Sequence, residues 1–96
     1  MTSAEQTTKL EEVRIRVTSN RESDFTLIIE PWGDTHCVRP TDEYLIVARG
    51  PAPAEPELIQ GADCLTYYGW TGSTLTLYRN GESLDAPAQL RQFLPG

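Results

Sequence analysis

Short runs of alternating apolar and polar residues, cut roughly every ten residues by turn-forming residues, constrain this chain more than any other feature. In Glu12-Val13-Arg14-Ile15-Arg16-Val17 the β-branched side chains share one face and the charges take the other. That period of two is the signature of a half-buried strand. Thr74-Leu75-Thr76-Leu77-Tyr78-Arg79 repeats the pattern with Leu75 and Leu77 inward. Asn80-Gly81 follows, a pair that tolerates the positive φ of a type I′ hairpin turn, so residues 82–84 are the expected return strand.

The remaining segments fit the same scheme. Phe25, Leu27 and Ile29 fall on one face of the stretch 25–30, while Ile28 interrupts the other face and implies that part of it is covered. Pro31 ends that strand or confines it to an edge, because it offers no amide donor. Residues 35–39 read as a short returning strand. Glu43-Tyr44-Leu45-Ile46-Val47-Ala48-Arg49 is almost continuously apolar, which predicts a strand covered on both faces at the centre of the fold. The proline-rich stretch 50–56 reads as an extended loop, followed by strands at 57–60 and 64–68 around the Gly61-Ala62-Asp63 turn. Seven to eight short strands in this arrangement predict an all-β fold, a small antiparallel β-sandwich or barrel.

At the C-terminus the period changes. Asp85 can cap a short helix, Pro87 is tolerated in its first turn, and Leu90, Phe93 and Leu94 fall on one stripe at i, i+3 and i+4. A short C-terminal helix packed on the sandwich is therefore expected. Residues 1–9 lack periodicity and read as a disordered tail, leaving 10–96 as a single β domain.

Charge narrows the function. Fourteen acids against eight bases give a net charge of −6. This disfavours nucleic acid, whose binding depends on cations meeting phosphates, and an anionic membrane surface. No apolar run is long enough to span a bilayer, and the polar, acidic N-terminus is unlike an export signal, so a cytoplasmic location is expected. Arginine dominates the bases, Lys9 being the exception, a composition that fits a bacterial source. Cys37 and Cys64 lie 27 positions apart and are expected to be reduced, buried thiols.

Reactive constellations fare poorly. His36 adjoins Cys37, but neighbouring strand residues point to opposite faces, so they cannot form a nucleophile–base pair within a regular strand. His36 meeting Cys64 across strands is the remaining option. One histidine and two cysteines without a Cys-x-x-Cys spacing fall short of a zinc site, and a blue-copper site needs a second histidine. No calcium loop, phosphate-binding glycine loop or nucleophile elbow is present. Glu30 and Asp34 flank Trp32 as the carboxylates of a sugar-processing site do, though any acidic turn has that look. The expectation is a non-enzymatic protein with no catalytic residue, metal or cofactor.

Both tryptophans sit beside a glycine in turn-like contexts, Glu30-Pro31-Trp32-Gly33-Asp34 and Tyr67-Tyr68-Gly69-Trp70-Thr71-Gly72-Ser73. A large aromatic in a turn must be held, either as a plug on the fold's own core or by a partner. Trp32, Trp70, Tyr68 and Tyr44 are the candidate binding residues, since tryptophan and tyrosine dominate interface hot spots. Trp70, next to strand 64–68, is expected to behave as core and Trp32 to be the more exposed.

Ile28-Ile29-Glu30-Pro31-Trp32-Gly33-Asp34, the strand ending Val47-Ala48-Arg49-Gly50-Pro51, and Tyr68-Gly69-Trp70-Thr71-Gly72-Ser73-Thr74 together resemble a group of small bacterial all-β proteins that share an E-P-W-G turn and a G-W-x-G-S segment. The resemblance spans most of residues 12–84 and implies a stand-alone β domain, with no activity attached to it. The expected function is a cytoplasmic interaction module presenting an aromatic surface to a protein or peptide, as monomer or homodimer. A small-ligand binder or small β-barrel enzyme with an interior cavity, and a structural self-assembling subunit, are the alternatives.

Overall fold

The computed structural model describes residues 9–19, 22–84 and 91–92, the last two as backbone alone. The alternating segments form β1 (Leu10–Thr18), β2 (Phe25–Glu30), β3 (Asp34–Val38), β4 (Glu43–Pro51), β5 (Glu57–Gln60), β6 (Cys64–Tyr68), β7 (Thr74–Arg79) and β8 (Glu82–Ser83), with a ninth short strand, β9 (Arg91–Gln92). One sheet runs β1-β4-β7, with β8 and β9 both on the far edge of β7; the other runs β3-β2-β6-β5.

The faces follow the period of two. Val17, Tyr44, Ile46, Ala48, Leu75 and Leu77 of the first sheet meet Leu27, Ile29, Val38 and Tyr67 of the second in one buried cluster. Full burial of each aliphatic side chain contributes roughly 1.5–3 kcal/mol. Asn80 and Gly81 take φ of 49° and 88° and close the β7–β8 hairpin as the type I′ turn requires.

Four expectations are corrected. The sheets are not purely antiparallel, because β2 and β6 pair in parallel from Thr26 opposite Cys64 to Glu30 opposite Tyr68. Between them the chain visits β4 in the other sheet, and a crossover of that length lets β6 return in the same direction. Gly50 and Pro51 belong to β4 rather than to the loop, Pro51 lying opposite Leu10 at the strand's end. β4 is central in its sheet but covered on one face only: Leu45 and Val47 on the other are half-buried. No helix occurs among the described residues, and Arg91 and Gln92, within the expected C-terminal helix, pair with Leu75 and Thr74. The rest of that helix, and residues 1–8 of the expected tail, lie outside the described residues. Lys9 is tied down, its carbonyl oxygen accepting from the Ala52 amide at 2.8 Å.

Candidate functional site

Three turns converge at one end of the sandwich. Residues 31–33 join β2 to β3 through a cis Glu30–Pro31 bond, residues 52–56 leave β4 through a cis Ala52–Pro53 bond, and residues 69–73 join β6 to β7. The third turn is closed by the Ser73 amide donating to the Trp70 carbonyl at 2.9 Å and the Trp70 amide donating to Ser73 Oγ at 3.2 Å. Gly72 takes a φ of 86°, and a Cβ there would stand 2.9 Å from Pro51 Cγ, so this turn and the end of β4 touch backbone to ring.

The two tryptophans are brought together by this arrangement. Trp70 is 7% exposed, and its indole N–H donates to the Pro51 carbonyl at 2.9 Å. Trp32 is half-buried, and its six-membered ring lies over Gly69, where a Cβ would stand 3.1 Å from the ring. The Gly69 amide donates to the Glu30 carbonyl at 3.0 Å, which links the first turn to the third. Tyr68, 39% exposed, points out of the sheet between Glu30 and Glu57. Beside this cluster lies a concavity of about 330 Å³ walled by Pro51, Pro53, Gly69 and Trp70, with Glu55 its one charged wall residue. Tyr44 is not part of it. It is buried near the start of β4, about 20 Å along the strand, its ring tilted by 51° against that of His36 at 5.8 Å and its hydroxyl donating to the Cys37 carbonyl at 3.4 Å.

The reactive groups are kept apart by register. His36 lies opposite Leu27 on the inner face, whereas Cys37 and Cys64 both lie opposite Thr26 on the outer face, so Cys37 is exposed and Cys64 half-buried rather than both buried as expected. His36 therefore meets neither thiol, and it lines neither the concavity beside Trp70 nor the one beside Phe25 and Leu65. The Cys37 thiol donates to Asp24 at 3.4 Å; this bond, desolvation and the carboxylate's charge push its pKa up, away from the thiolate a nucleophile needs. Glu30 faces outward and Asp34, opposite the inward Ile29, faces in, so the two cannot flank one glycosidic bond. Among the described residues no three His, Cys, Asp or Glu side chains are grouped to hold a metal ion, and no helix is long and apolar enough to cross a membrane.

Two features escaped the sequence. Asp42, 6% exposed at the far end, accepts from the Arg39 amide, Asn80 Nδ2 and the Arg79 guanidinium at 3.2–3.4 Å. The Pro-Thr-Asp turn gives no sign of this, and Asn80 stands out in the sequence only for the positive φ its turn requires. A cleft of about 260 Å³ also opens between β1 and β6, walled by Val17, Phe25 and Leu65 and rimmed by Arg16, Ser19 and Gln60. It depends on how the two sheets are offset, which no local pattern encodes.

Comparison with known proteins finds no matching family model, no similar curated protein and no similar solved structure.

Proposed function

We propose that the chain is a non-enzymatic binding module whose proline–tryptophan end receives an extended peptide segment carrying a cation. The observation that carries this reading is a concavity of about 330 Å³ walled by Gly69 and Trp70, with Trp32 seated over Gly69 and Tyr68 exposed on the neighbouring strand end, a volume within the range of sites that take small groups. Trp70 and Pro51 form a rigid floor, while Trp32 and Tyr68 keep accessible ring surface. Glu30, Glu55 and Glu57 supply negative charge around those rings, so an arginine or lysine side chain finds an aromatic face and a carboxylate together. The chain's net charge of −6 favours the same partner over an acidic one. Both cysteines are free, which suits a reducing, cytoplasmic setting.

Selection from a displayed library of random linear peptides tests it. Enriched sequences are expected to carry lysine or arginine and to lose binding to a Trp32→Ala variant that retains its fold. Failure to enrich any sequence above that variant would remove the reading.

The cleft between β1 and β6 supports a second reading, a small-ligand binder. Val17, Phe25 and Leu65 would take an apolar group and Arg16 and Gln60 a polar one, in a volume of about 260 Å³, just under the usual size of such sites.

A further inference from the structure

The free edges of the two sheets differ in kind. β3 has five residues between the Pro31 turn and Pro40, β5 has four and follows Pro56, and β8 has two. Short strands and flanking prolines are the ordinary means of keeping an edge from pairing. β1 is different: nine residues, no proline, no break in its ladder with β4, and no strand on its other side among the described residues. Val13 and Ile15 remain only half-buried along it.

Independently of the peptide reading, we propose that β1 is the interface of a homodimer, pairing antiparallel with β1 of a second copy to join the two first sheets into one. The sequence of the strand supports this occupant. In an antiparallel pair about a two-fold axis, residues of like face stand opposite one another. The only register that pairs all nine residues of Leu10–Thr18 is centred on Arg14. It sets Glu12 against the second copy's Arg16 twice and Val13 against Ile15 twice, with the mismatched Glu11–Val17 pair confined to the outer part of the ladder. Opposite charges and β-branched pairs at such positions stabilise a ladder. Sliding the axis to Ile15 sets Arg14 against Arg16 twice; sliding it to Val13 keeps opposite charges together as Glu12 against Arg14 but shortens the ladder and faces Arg16 with Leu10.

The Arg14–Arg14 contact at the axis is offset within each copy, because Glu12 binds Arg14 at 3.1 Å and Glu43 binds Arg16 at 3.1 Å. Within Leu10–Thr18, Glu11 and Glu12 balance Arg14 and Arg16, so the strand itself is neutral in a chain whose net charge is −6. Two copies therefore meet here without the repulsion that their overall charge imposes elsewhere.

Sedimentation velocity of the whole chain over a wide concentration range reads the association. The expected result is a reversible monomer–dimer equilibrium. Glu12→Arg and Arg16→Glu each turn two attractive pairs into repulsive ones, and each is expected to weaken the dimer about tenfold. The double variant restores opposite charges across the axis and is expected to recover the wild-type affinity. Circular dichroism melts confirm that all three variants fold. A wild-type chain that stays monomeric at every concentration overturns the proposal. So does a dimer indifferent to the single changes, or one that both single changes weaken and the double variant fails to rescue.

Discussion

Tyr67 lies fully buried opposite Ile29 and Leu58, its hydroxyl unpaired among the described residues, and burial pushes its pKa up to about 12. An unsatisfied buried hydroxyl costs roughly 1–3 kcal/mol. Tyr67→Phe is therefore expected to stabilise the fold by about 1 kcal/mol, read as a higher urea midpoint at unchanged slope. A lower midpoint would show that the hydroxyl is satisfied. The tryptophans separate by the same measurement. Trp70→Ala removes a buried ring that also holds the Pro51 carbonyl, and should cost about 3–5 kcal/mol. Trp32→Ala forfeits only partial burial and should cost roughly 1–2 kcal/mol. This difference was legible in the sequence, because Trp70 stands one glycine beyond the strand 64–68 while Trp32 sits between a proline and a glycine. That Trp32 lies over Gly69 was not, since the contact joins turns far apart in the chain.

At the level of strands, register decides both the cysteines and the acid limit of stability. Cys37 and Cys64 flank Thr26 on neighbouring strands, two strand spacings or about 10 Å apart. A disulfide requires Cα atoms within about 7 Å. Reducing agent should thus leave the melting temperature unchanged, whereas loss of a real bridge of this loop length would lower it by ~12–24 °C. Asp42 ties the β3–β4 turn to the β7–β8 hairpin. Desolvation opposes its charge, but the Arg39 amide, the Asn80 side chain and the Arg79 guanidinium outweigh it and hold its pKa below the ordinary value. A depressed carboxylate contributes its full stabilisation above the unfolded pKa of about 3.9 and loses it as pH falls through the lower folded value. Asp42→Asn should be less stable than wild type at pH 7, and the gap should close as the pH drops below about 4. A gap of constant size across that range would show that charge is not what Asp42 contributes. Eight strands were readable from alternation and turn residues, down to the positive φ of Asn80. β9 was not, because Leu90, Phe93 and Leu94 carry a helical period across Arg91 and Gln92. Nor was the parallel β2–β6 pair, since alternation fixes a strand's face and leaves its neighbour and direction open.

Over the whole molecule, the sandwich gathers its turns into two ends with different work. The Asp42 end locks one hairpin to one turn through charge, and the proline–tryptophan end leaves aromatic surface beside carboxylates. The sequence marked Trp32, Tyr68 and Trp70 by residue type, while the seat of Trp32 over Gly69 and the walls at Pro51 and Pro53 come from the chain leaving the end of β4 for β5 in the second sheet. The claim that this end takes a cationic peptide is tested most directly by amide and indole chemical shifts, followed while a selected lysine- or arginine-bearing peptide is added. The chain has only two tryptophans, so Trp32 and Trp70 give two separate indole signals. Both should shift together with the amides of Tyr68 and Gly69, while those of Val17, Phe25 and Leu65 stay still. Shifts confined to Val17, Phe25 and Leu65, with both indole signals unmoved, would contradict the account and place recognition in the cleft between the sheets.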